Sequence, residues 1–117
     1  MCSSDLFRKA PNGFCGLETS VGVILTDLYH KNVLTLEQVV DKMSCSPARI
    51  FNLKGGKLTE GAPADITILD LDKEWTVDSG KFYTVGKVTP FEGKQCKGKA
   101  VATIVAGKVV MKDGVVC

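Results

Sequence analysis

Residues 55–71 read GGKLTEGAPADITILDL, and the spacing of apolar side chains changes character inside this stretch. Before it, apolar residues recur every three or four positions, as on one face of a helix; after it, they alternate with polar ones, as on a half-buried strand. Gly55-Gly56 stops the helical pattern, and Ala64 to Leu71 opens the strand pattern. Helices come first and strands follow, with no alternation between them, which reads as an α+β chain or as pieces of two domains. The boundary divides the sequence into 1–54 and 55–117.

On the helical side, Leu17, Val21, Ile24, Leu25 and Leu28 fall on one face of a helix of about three turns. His30, Lys31 and Asn32 suit its C-terminus, where positive charge and an Asn cap are favourable. The next helix has a well-specified start. Thr35 is its N-cap, Gln38 completes a capping box, and Leu34 with Val39 can form a hydrophobic staple. Its buried stripe is Leu36, Val39, Val40 and Met43. Ser46-Pro47-Ala48 then reads as the start of a third, short helix, with Ser46 as cap and Pro47 at the first helical position.

On the strand side, Ala64 to Leu71 is followed by a weaker strand, Glu74 to Val77. Residues 78–98, rich in Gly and Pro, read as a surface loop. A strand from Ala100 to Val105, a turn at Ala106-Gly107, a strand from Lys108 to Met111, a turn at residues 112–114 and a last strand, Val115-Val116, complete a small antiparallel sheet of hairpins.

The chain has 117 residues, 44% of them hydrophobic, enough for one domain with a core. The formal charge of +2 comes from 15 basic and 13 acidic residues with no basic block, which gives no footprint for nucleic acid or an anionic membrane. No apolar run approaches the roughly 20 residues that span a bilayer. The 5 cysteines, Cys2, Cys15, Cys45, Cys96 and Cys117, form no CxxC pair. They fit reduced thiols in a cytoplasmic protein better than a disulfide framework or a structural zinc site.

The chemistry-bearing residues are few. His30 is the single histidine, so a capping or surface role is expected for it rather than metal ligation. Cys15 has only His30 as a possible base, roughly 20 Å away if the intervening residues are helical, at 1.5 Å per residue. Glu18 is expected in the first turn of the first helix, favoured by its dipole, and Asp65 is expected to hydrogen-bond a turn. The opening loop PNGFCGLET (Pro11 to Thr19) has Gly13 and Gly16 three apart ahead of a helix. That spacing fits an ordinary junction, and it also fits a loop that presents backbone N–H groups to an anion. It is neither a phosphate loop nor a complete dinucleotide fingerprint.

Longer stretches carry a resemblance. APNGFCGLETSVGVILTDL (10–28), LTLEQVVDKMSCSPARIFNL (34–53), GKLTEGAPADITILDLDKEWTV (56–77), TPFEG (89–93) and KAVATIVAGKVVMKDGVV (99–116) resemble, in order, the C-terminal portion of a dihydroorotase of the amidohydrolase superfamily. Gly16-Leu17-Glu18-Thr19 is the most specific of these motifs and favours dihydroorotase over hydantoinases and allantoinases. The resemblance implies the last helices of a metal-dependent (β/α)₈ hydrolase barrel in 1–54, followed in 55–117 by the C-terminal strands of a small β-sandwich. It implies reversible hydrolysis of the cyclic amide of dihydroorotate to N-carbamoyl-aspartate, with a zinc centre and a catalytic aspartate upstream of this chain. The chain alone is therefore expected to hold no metal and to be inactive. It also implies that the backbone of Asn12 and Gly13 contacts the substrate carboxylate. The usual Phe of that loop is here Asn12, and the Asn that often precedes Thr89-Pro90-Phe91 is here Val88. A non-catalytic scaffold that partners aspartate carbamoyltransferase is the alternative from a different class. Helices without barrel strands would leave apolar stripes to drive self-association.

Overall fold

The computed structural model describes residues 13–117, so Asn12 lies outside the described residues while Gly13 lies within them. The helical part is α1 (Ser20–Ile24), which runs without a break into a π turn (Leu25–Tyr29), and α2 (Leu36–Val40), which runs through a second π turn (Asp41–Cys45) into α3 (Ser46–Ile50). Four strands follow: β1 (Ile66–Thr76), β2 (Gln95–Val105), β3 (Lys108–Lys112) and β4 (Val115–Val116), with a 3₁₀ turn at Ser79–Lys81 between the first two. They form one antiparallel sheet in sequential order, β1-β2-β3-β4. The segregated α-then-β pattern expected from sequence is the pattern observed.

Several boundaries differ, each for a physical reason. Leu17 does not join the first helix. Residues 17–19 form a turn that bonds back to Gly16 through the Thr19 amide, and Leu17 projects into solvent at 86% exposure. Ser46 is not a cap either. Its backbone is already helical, and its hydroxyl donates to Asp41 Oδ2 at 2.8 Å. Pro47 therefore sits inside a continuous helix. The preceding turn widens to π geometry, with the Ser46 N–H reaching Asp41 O, which accommodates a residue that has no N–H and whose ring crowds the previous turn. The helix stops at Asn52, which takes a left-handed φ of 53°, ahead of the expected Gly55-Gly56 stop. Asn32, with φ 55°, ends the first helix in the same way, as expected.

The two expected strands at Ala64 to Val77 are a single strand, β1, interrupted by bulges. Asp70 Oδ1 accepts from the amides of Asp72 and Lys73, and this local turn absorbs the irregularity while the chain stays in the sheet. β2 begins at Gln95, five residues earlier than expected, because Gln95, Cys96 and Lys97 pair with Thr76, Trp75 and Glu74. The two hairpin turns sit where expected. Ala106-Gly107 and Asp113-Gly114 both have positive φ at their two central residues, the conformation that matches the twist of flanking strands. Asp65 does hydrogen-bond a turn: its Oδ1 accepts from Ala106 N at 2.8 Å.

The first helix lies on the β1–β2 pair at two glycines. A Cβ at Gly22 would stand 2.5 Å from Trp75 Cζ2, so the absence of a side chain lets the helix approach the indole. Gly98, at φ +105°, leaves room for Leu25, which is fully buried. Trp75 is also fixed by β2, donating its Nε1–H to Gly98 O at 3.0 Å with the Lys99 ammonium 4.8 Å from its ring centroid. Thr26 Oγ1 accepts from Lys97 N at 2.8 Å, satisfying an amide of β2. The core is Val77, Phe82 and Cys96, with Cys15, Val23, Trp75 and Phe91 packed against it.

The expected stripe on the second helix is only partly covered. Val39 is buried, whereas Val40 and Met43 are exposed beside a groove of about 530 Å³ between α1, α2 and the start of β1. Ile50, Phe51, Leu53 and Leu58 continue this exposed apolar surface.

Candidate functional site

The opening loop is held by the segment that follows β1. The Cys15 amide donates to Val88 O at 2.8 Å, and its thiol donates to Gly86 O at 3.0 Å. Phe14 meets Phe91 edge to face, with ring centroids 6.2 Å apart. Glu18 makes the most extensive contact. Its Oε2 accepts from Tyr83 N, and its Oε1 accepts from both Thr84 N and the Thr84 hydroxyl, each at 3.0 Å. The receiving segment is itself anchored, because Phe82 is buried in the core and the Lys87 ammonium donates to Phe82 O.

This geometry corrects the sequence expectation for Glu18. The residue lies in the turn ahead of α1, and the donors it answers belong to a segment 65 and 66 residues away, not to the helix dipole. The residue is exposed, and the desolvation that its contacts impose pushes its carboxyl upward. The amides of Thr84 and Tyr83, the Thr84 hydroxyl and the Lys87 charge outweigh that and hold it below its ordinary value of 4.5. Sequence reasoning missed this clamp because nothing local marks Tyr83 and Thr84 as partners; both lie in a stretch legible only as loop.

Gly13, the described member of the expected substrate-binding pair, is exposed with φ +85°. Among the described residues other than its chain neighbours, no heavy atom lies within 4 Å of the position a Cβ would occupy. The large groove under α2 includes none of residues 13–19 and is walled mainly by apolar side chains, which marks it as unfilled packing space.

His30 is neither a surface residue nor a simple cap. Half-buried, it donates from Nε2 to Leu71 O at 2.7 Å and ties the end of the first helix to the bulged part of β1. Asp27, one turn earlier, is held below the usual carboxylate range by Lys31 and Lys94, at 2.8 and 3.0 Å. Among the described residues no three His, Cys, Asp or Glu side chains gather to hold a metal ion. With its one imidazole engaged by a carbonyl, this set of residues does not fit a zinc centre. Cys15, Cys45, Cys96 and Cys117 are free thiols.

A sheet of sequential hairpins, a helix seated on it and a loop pinned to its long connection together make up a fold also found within solved hydantoinases. The sequence profile of the Amidohydrolase family matches residues 14–110, and the chain belongs to that family. Within it, the chain is 47% identical over 107 residues to the dihydroorotase of Listeria welshimeri, covering 92% of this chain and 25% of that enzyme. It is 49% identical over 110 residues to the dihydroorotase of Pelotomaculum thermopropionicum, covering 94% and 26%. Among solved structures, the L-hydantoinase (dihydropyrimidinase) of Arthrobacter aurescens superposes with a TM-score of 0.90 at 41% identity, covering 95% of this chain and 25% of that one. The chain thus spans about a quarter of the length of the relatives it matches.

Proposed function

We propose that this chain is the C-terminal part of a dihydroorotase, comprising the last barrel helices and the C-terminal strands of the β-sandwich. Its work in the reaction is to hold the substrate. The observation that carries the reading is the opening loop: Gly13 is exposed with a left-handed φ of +85°, and the residues behind it are fixed by the Glu18 and Cys15 contacts. In this reading the backbone of Asn12 and Gly13 binds the carboxylate of dihydroorotate, and the ring amide is opened to N-carbamoyl-aspartate by groups outside this chain. The zinc of such enzymes is held by those same groups, and no step of ring opening is assigned to residues 13–117.

The test is a ring-opening assay on the native-length gene product, with dihydroorotate and hydantoin offered separately. Hydrolysis of dihydroorotate, with a KM raised about tenfold or more by Gly13→Val and a kcat changed much less, is the expected result. A product that opens neither ring overturns the reading. Preference for hydantoin supports a second reading, a hydantoinase, which the likeness to the Arthrobacter enzyme favours. An inactive product that copurifies with aspartate carbamoyltransferase at fixed stoichiometry supports the scaffold alternative.

A further inference from the structure

We infer that Glu18 is the positioning residue of the substrate-binding loop, acting through Tyr83 and Thr84 and touching no substrate itself; this rests on the reading of residues 12–13 as that loop. Glu18 lies five residues after Gly13, and its side chain is the only one in 13–19 that bonds residues 83–84. Both carboxylate oxygens are used, one on the Tyr83 amide and one on the Thr84 amide and hydroxyl, so the carboxylate is fixed in orientation as well as in place. Cys15 supplies a second attachment on the same segment, through Val88 O and Gly86 O. Between the two attachments the loop backbone has little freedom, and Gly13 is held two residues before the first of them.

A loop that must present N–H groups to a carboxylate gains affinity by being fixed beforehand, because the ordering cost is then met in folding and not on binding. Glu18→Gln keeps the side chain's length but puts an NH₂ where one carboxylate oxygen stood, so either the Tyr83 or the Thr84 amide loses its acceptor and the attachment is weakened while the fold is kept. Glu18→Asp keeps the carboxylate and shortens its reach. Thr35→Ala weakens the second helix, remote in sequence from the loop, and serves as a control for general destabilisation.

The experiment measures hydrogen exchange of the Cys15 amide and ring-opening kinetics in the native-length product carrying each substitution. Glu18→Gln is expected to speed exchange at the Cys15 amide, which donates to Val88 O, about tenfold or more, and to raise KM by a similar factor with kcat changed much less. Glu18→Asp is expected to restore part of both effects, and Thr35→Ala to move neither. Unchanged exchange at the Cys15 amide in Glu18→Gln overturns the inference, whatever the activity. Faster exchange with an unchanged KM also overturns it, because the loop would then be positioned for something other than substrate. If the unsubstituted product opens neither ring, the functional reading falls, and the exchange result still decides whether Glu18 positions the loop.

Discussion

Glu18 shows how a residue's chemistry is set by what reaches it. Its folded pKa is depressed, so the stability it contributes is fully present above its unfolded value near 4.5 and is lost as pH falls through the folded value. Urea unfolding midpoints followed downward from about pH 6 are expected to fall for the unsubstituted chain below pH 4.5 more than for Glu18→Gln, which has no proton to take up there. Equal slopes in the two proteins would remove Glu18 from the account of acid sensitivity. Gly22 is a second case. Gly22→Ala places a methyl 2.5 Å from the indole of Trp75, and overpacking of this kind costs about 1–3 kcal/mol. Denaturant unfolding read by Trp75 fluorescence measures the loss and reports displacement of the ring; a change under about 0.5 kcal/mol would mean that the helix simply lifts.

At the scale of elements, the second helix joins a well-capped start to an interrupted middle. Its capping box is complete, with Gln38 N donating to Thr35 Oγ1 and Thr35 N donating to Gln38 Oε1. Thr35→Ala is expected to cost about 1 kcal/mol in chemical denaturation. That cost would fall mainly on α2, because the π turn at Asp41–Cys45 separates it from α3. Faster amide exchange at Val39 and Val40 than at Ala48 would be the signature. The sheet has the opposite character. β1 crosses its irregularities without ending, because Asp70 satisfies two amides locally while His30 answers the carbonyl of Leu71.

Over the whole molecule, the buried core gathers where the opening loop, the first helix and the β1–β2 connection meet, and the far end of the helices is thinly covered. Ile50, Phe51, Leu53 and Leu58 are each more than 60% exposed, around the same end as the groove under α2. A chain presenting this surface is expected to self-associate, and replacing Ile50 and Phe51 by lysine should shift it toward monomer in sedimentation velocity. A monomeric unsubstituted chain at tens of micromolar would contradict this.

What the sequence determined by itself was whatever depends on neighbours along the chain. The capping box at Thr35, the Asn32 helix end, the two hairpin turns and the α-then-β order are all local, set by side chains within a few residues of the backbone groups they satisfy. The motif carrying Glu18 was legible too, and with it the family. Its partners were not, since Tyr83 and Thr84 meet it only when the long connection folds back over the first helix. The same holds for His30 on Leu71, for Gly22 under Trp75 and for the joining of two apparent strands into β1. The continuous helix through Pro47 is a related case, in which the surrounding backbone widened to admit a residue that sequence rules place at a helix start. Tertiary structure decided these points because each depends on which distant backbone groups remain to be satisfied, and that follows from the packing of the whole chain and not from any segment of it.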